Sequence, residues 1–119
     1  MPRYANIRGW LECSFDDVNG IRLANERFLA TAHASFLTSE QIALYGSGWH
    51  YPSGPINWAS YVFYGACVNV SAVEFIKEMI MNAVWVNQHD IEGFFVIDIE
   101  DEGQLHWTWS DGQLTENKR

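Results

Sequence analysis

The stretch Ser60-Tyr-Val-Phe-Tyr-Gly-Ala-Cys-Val-Asn-Val70 is nearly all apolar or aromatic, and Ser71-Ala-Val-Glu74 follows it directly. A run of that length and β-branched, aromatic content reads as a central strand with both faces covered. Ser71 and Glu74 stand at the spacing of an S-x-x-E capping box, in which each side chain satisfies a backbone N–H of the first turn. A helix is therefore expected to follow. Val73, Ile76, Met79, Ile80, Ala83 and Val84 recur at three- and four-residue steps as its buried stripe, with Glu74, Lys77, Glu78 and Asn82 facing water.

Upstream, Tyr4 to Cys13 alternates as a strand, with Ile7, Gly9, Leu11 and Cys13 on one face and Arg8, Trp10 and Glu12 on the other. Ser14 is placed as a helix N-cap, and Asp16 and Asp17 fall where the helix dipole favours anions. The helical pattern runs from Phe15 to about His33 through Val18, Ile21, Ala24, Phe28 and Ala32, with Gly20 weakening it locally. Residues 35–58 read as an irregular strand running into a Gly/Pro loop that carries rings, although Ser39-Glu40-Gln41 would also open a helical turn. Downstream, Glu92 to Glu100 is a third strand, Asp101-Glu102-Gly103 a turn, and Leu105, Trp107 and Trp109 the inward positions of the next strand. Asp111-Gly112 is a hairpin signal, followed by a short strand from Gln113 to Glu116.

The resulting order, β-α-β-β-α-β with a C-terminal β-hairpin, predicts an α+β fold. Its expected form is a ferredoxin-like antiparallel sheet with two helices on one face. An α+β meander with another strand order is the alternative. At 119 residues the chain is expected to be one domain.

Hydrophobic residues are 48% of the chain and charged residues 18%, which excludes intrinsic disorder. Six Trp, five Tyr and seven Phe exceed what a small core encloses, so some rings are expected at the surface. No stretch approaches the roughly 20 apolar residues of a membrane span, and Met1 to Arg8 lack the apolar run of a signal peptide. Cys13 and Cys67 are expected to be buried thiols, and the compartment the cytoplasm. The formal charge is −8 and lies unevenly. Residues 1–60 hold four Arg and five acids, whereas residues 61–119 hold ten acids against Lys77, Lys118 and Arg119. A field of that sign repels nucleic acid and anionic membrane and attracts basic partners.

His33, His50, His89 and His106 show no metal-ligand spacing, and no phosphate loop, nucleophile elbow or dinucleotide fingerprint occurs. No catalytic residue, metal or cofactor is expected. Cys67 with a distant His, and Glu12 with Asp98 as paired carboxylates, are weaker readings than a core thiol and solvated acids.

Two constellations exceed the ordinary. Asp98, Glu100, Asp101, Glu102 and Asp111, with Glu92, gather acids on the last strands and turns, either a solvated edge or a docking surface for Lys and Arg. Trp49-His50-Tyr51-Pro52 and Trp58 place rings in a Gly/Pro loop, either a lid folded onto the domain or exposed anchors, with Trp49 and Tyr51 the candidate anchors.

The opening strand Ile7-Arg-Gly-Trp-Leu-Glu-Cys13, Pro55-Ile-Asn-Trp58 ahead of Phe63-Tyr-Gly65, and Glu92-Gly-Phe-Phe95 give a short acidic chain whose pattern resembles the small immunity proteins encoded beside bacterial polymorphic or contact-dependent toxins. The likeness spans most of the chain without a defining motif, so it carries over no site residue. It implies a cytosolic protein that binds a cognate toxin domain, often a nuclease, and blocks its active site. The alternatives from other classes are a small-ligand protein or enzyme with a pocket between sheet and helices, and a homo-oligomeric regulatory protein.

Overall fold

The computed structural model describes residues 3–32, 37–55 and 57–119. Six strands and three α-helices follow one another along these residues: β1 (Tyr4–Cys13), α1 (Phe15–Thr31), α2 (Ser39–Gly46), β2 (Trp49–His50), β3 (Ser60–Asn69), α3 (Val73–Val84), β4 (Glu92–Ile99), β5 (Gly103–Ser110) and β6 (Gln113–Lys118). The strands form one antiparallel sheet in the order β2-β3-β1-β4-β5-β6. Helices pass from β1 to β2 with β3 lying between those strands, and from β3 to β4 with β1 lying between.

The fold is α+β, and the expected C-terminal hairpin is present as β5 and β6, which carry the sheet on beyond β4. The difference from the expected elements is a third helix. That helix, α2, replaces the strand expected around Ile42 and Tyr45. Thr38 and Gln41 form the reciprocal capping box that starts it: the Gln41 N–H donates to Thr38 Oγ1 at 3.1 Å and the Thr38 N–H to Gln41 Oε1 at 2.9 Å. The strand is left only Trp49 and His50.

α1 runs unbroken through Gly20 and ends at Thr31, and the expected end at His33 lies outside the described residues. Ser14 is its N-cap in extended conformation, although its hydroxyl makes no cap hydrogen bond to the backbone. The capping box expected at Ser71 and Glu74 does not form. Instead Asn69 caps a single 3-10 turn, Val70–Ala72, accepting from the Ser71 N–H at 2.9 Å, and α3 starts only after it. The expected stripe of α3 is buried throughout, joined by Phe75.

One core fills the space between the helices and one face of the sheet. Ala5, Ile7, Leu11, Val62, Val68, Phe95 and Ile97 meet Val18, Ile21, Ile76, Met79 and Ile80 there. Trp107 and Trp109 of β5 are completely buried, as their alternation predicted, and pack edge to face at 5.8 Å. Lys77 of α3 clamps this end of the sheet. Its ammonium lies 3.1 Å from Glu116 and 5.4 Å from the Trp107 ring centre, and the Trp107 indole donates to Glu116 at 2.7 Å. The β5–β6 hairpin turns at Asp111 and Gly112, both at positive φ (53° and 76°), the backbone that the Asp-Gly pair accommodates.

Candidate protein-binding face

Burial along β3 alternates strictly from Ser60 to Tyr64, and this corrects the reading of a doubly covered strand. Val62, Tyr64 and Val68 point to the core, whereas Tyr61, Phe63 and Cys67 point away from the helices and are exposed. The sheet is therefore covered on one face only, and the apolar outward residues of β3 belong to the uncovered face.

Register places these residues beside others of like character. Phe63 of β3 lies opposite Trp10 of β1, which in turn lies opposite Phe94 of β4. The Trp10 and Phe94 rings are 5.6 Å apart, Tyr61 stacks on Phe63 at 6.2 Å, and Phe94 meets the His106 ring of β5 edge-on at 5.4 Å. The outcome is a band of rings crossing four strands. Phe63 is 51% exposed, Tyr61 41% and Trp10 39%, and Trp58 in the preceding loop is 90% exposed. Between that loop and the strand opens a cleft of about 440 Å³, bordered by Pro52, Gly54, Trp58, Tyr61 and Phe63. It lies on the loop side of β3 rather than between sheet and helices.

The two flanks of the band differ in charge. On one, Arg8 meets Asp98 at 2.6 Å, and Gln104 donates to the same carboxylate at 2.7 Å. The hydrogen bonds from Gln104 and Arg8 hold the Asp98 carboxyl below its ordinary value. On the other flank Glu12 of β1 and Glu92 of β4 are direct cross-strand neighbours. Glu12 accepts a hydrogen bond from the Tyr61 hydroxyl at 2.9 Å, and that bond, with the Glu12 charge adding to it, raises the Tyr61 phenol. Glu92 accepts from the Ser110 hydroxyl at 3.4 Å. Among the described residues neither carboxylate has a cationic partner within ion-pair distance.

The acids singled out in the sequence are distributed otherwise. Asp98, Glu100, Asp101 and Glu102 do lie together around the β4–β5 turn, where Arg8 pairs with Asp98 and no ion pair reaches Asp101 among the described residues. Arg3 pairs with Glu102 at 2.7 Å, and the Glu100 carboxylate accepts the Tyr4 N–H at 3.0 Å. Asp111 is not part of that group. It sits at the opposite end of β5, roughly 25 Å away at ~3.4 Å per residue, beside His89 at 2.7 Å. Glu12 and Asp98 are not a carboxylate pair either, since Asp98 is opposite Asn6 and lies roughly 20 Å along the strands from Glu12.

The ring-rich loop is folded inward over the half expected to supply anchors. Trp49 is 7% exposed, its indole donating to the Met79 sulfur at 3.4 Å and its ring 5.0 Å from Tyr64. Tyr51 is half-buried beneath Arg22, accepting from Asn25 at 2.9 Å, and burial raises its phenol. Both act as the lid, and the exposed ring of the loop is Trp58. Cys67, expected in the core, is exposed on the uncovered face, whereas Cys13 is buried.

Among the described residues no three His, Cys, Asp or Glu side chains are grouped to hold a metal ion, and no helix is long and apolar enough to cross a membrane. Comparison with protein-family models, with curated proteins and with solved structures finds no match to this chain.

Proposed function

We propose that the protein binds a basic protein partner through the uncovered sheet face, and that the partner is a toxin domain which it neutralises by occlusion. The observation that carries the binding reading is the ring band itself. Trp10, Tyr61, Phe63 and Trp58 keep large apolar surfaces in water on one contiguous face, and such a patch with a polar rim is the usual mark of a protein interface. A fully buried ring removes about 150–250 Å² from solvent, so a few of them supply the centre of an interface. The net charge of −8 and the rim acids Glu12 and Glu92 favour a basic surface and speed its approach. The toxin assignment rests on the resemblance to immunity proteins. Basic nuclease domains, which must bind phosphate, are the partner class it implies, and the cytoplasm is the compartment.

At the level of fold, the ferredoxin-like reading of β1 to β4 is supported by the run β4-β1-β3-β2 with antiparallel neighbours throughout. On that reading α2 is an insertion, and β5 with β6 an extension of the sheet.

The test uses the full chain, tagged, and a Phe63→Ser/Trp10→Ser variant in lysate of the source cells at low and moderate salt. A basic protein retained near 1:1 by the unmodified chain and lost with the variant is expected. Co-expression should then abolish that protein's toxicity. Equal retention by both chains would remove the sheet face from the proposal.

A second reading rests on the same ring band. A ring band on an open face also suits a second copy of the chain, and mass measured against concentration separates a homodimer from a monomer awaiting a partner.

A further inference from the structure

Resting on the proposal that the sheet face binds a basic protein, we infer that the cleft beside Trp58 receives an arginine side chain of that partner, with its guanidinium directed to Glu12 and Glu92. Three features of the cleft point to that occupant. Its border at Trp58, Tyr61 and Phe63 is aromatic, and a planar guanidinium on an aliphatic stem stacks on such rings. The cleft joins the acidic flank through one residue, because Tyr61 borders it and also donates to the Glu12 carboxylate at 2.9 Å. Glu12 then faces Glu92 across the β1–β4 ladder. Opposed residues in an antiparallel pair have Cβ atoms about 4.5–5.5 Å apart, a spacing that lets one forked cation serve both carboxylates.

At the far end of the same strands Asp98 has Arg8 at 2.6 Å and Glu102 has Arg3 at 2.7 Å, while Glu100 and Asp101 have no ion pair among the described residues. Glu12 and Glu92 have none there either, and they are the acids that adjoin the cleft through Tyr61. A lysine would satisfy the charge, but as a compact and strongly hydrated ammonium it lacks the planar face and the fork.

The probe is N-acetyl-arginine amide, titrated into the full chain at constant low ionic strength and followed by amide and indole NMR shifts. N-acetyl-citrulline amide is the neutral isostere and N-acetyl-lysine amide the point-charge control. Saturable shifts are expected at the Trp58 indole and at the Glu12, Tyr61 and Glu92 amides. Citrulline should bind about tenfold more weakly, as should arginine to Trp58→Ala or Glu92→Gln, each of which removes one charged or ring contact. Equal response to arginine and citrulline, no response, or shifts confined to Asp101 and Glu102 would overturn the inference. The underlying proposal is read separately: if Phe63→Ser/Trp10→Ser still abolishes capture of the partner, the face stands and only the arginine site falls. If partner capture survives both that variant and Trp58→Ala, both fall.

Discussion

Glu12 and Glu92 face each other on neighbouring antiparallel strands, and among the described residues no cation pairs with either. Like charges directly opposed in a sheet destabilise it, by about 0.2–1 kcal/mol for an exposed pair. The free protein therefore holds a small repulsion at the rim of its ring band that a bound cation would relieve. Replacing Glu92→Gln should stabilise the isolated chain and raise its melting temperature by roughly 1–4 °C at low salt. The gain should shrink as salt screens the pair. Thermal unfolding at two ionic strengths checks both parts, and a variant no more stable than the original would mean that the carboxylates splay apart in solution.

Gly9 sits in the middle of β1 opposite Phe95 of β4. A Cβ at this position would overlap the Phe94 carbonyl oxygen and meet Phe95 Cα and the Phe95 ring at 2.6 Å. Two of these obstacles are backbone of the adjacent strand, so rotamer changes do not relieve the clash. Gly9→Ala should cost about 3 kcal/mol or more, above the usual range for an added methyl group, because the central ladder itself must shift. Urea unfolding measures this, with Gly54→Ala, where the added Cβ meets nothing within 4 Å, as the control.

How far the sequence anticipated this structure depends on which physical signal each element carries. Trp107 and Trp109 alternate with polar neighbours, and the stripe of α3 repeats at helical spacing, so both were legible as core. α2 was obscured because Ile42, Leu44 and Tyr45 suit a strand as well as a helix. Its deciding signal was the Thr38/Gln41 capping box. β3 misled in a more consequential way. A continuous apolar run is what a doubly covered strand shows, but an interface strand shows it too, and periodicity does not separate the two. The face proposed for binding was thus hidden in what looked like core. The acids failed for a different reason: Asp98 and Asp111 are close in sequence, yet the antiparallel hairpin sends them to opposite ends of β5. Glu12 and Glu92, distant in sequence, are made neighbours by register alone.

The two cysteines should separate cleanly by reactivity. Cys67 is exposed on the uncovered face. Cys13 is buried, and burial, with the charges of Asp17 and Glu12 adding to it, pushes its thiol up to about 11 from an ordinary 9.0. That shift lowers its thiolate fraction about a hundredfold, in addition to the steric barrier. At pH 8 a disulfide reagent should consume one thiol equivalent rapidly, at Cys67 by mass mapping, and the second only after unfolding. Rapid reaction of both would show that the β1–α1 junction opens in the native state.

The Lys77–Glu116–Trp107 clamp predicts an acid limb in stability. The indole hydrogen bond from Trp107, followed by Lys77, holds the Glu116 carboxyl below its ordinary 4.5, as Gln104 and Arg8 hold Asp98 below 3.8. Burial alone would lower the Lys77 ammonium, but its hydrogen bonds to Glu116 and Glu74 outweigh that and raise it. A depressed carboxyl contributes stability that is fully present above its unfolded value and is lost as pH falls through its folded one. Stability should therefore decline from about pH 4.5 downward. Glu116→Gln keeps an oxygen for the indole and removes the titration, so it should flatten this limb and cost at most about 1 kcal/mol at pH 7, since the pair is solvent-screened. Glu116→Ala goes further, because Trp107 is completely buried and its indole N–H would lose its acceptor. That loss should add about 1–3 kcal/mol at every pH. Urea unfolding of the three chains between pH 3 and pH 7 distinguishes the charge from the hydrogen bond. If the Gln and Ala variants lose the same stability, the indole contact contributes nothing and the clamp is electrostatic alone.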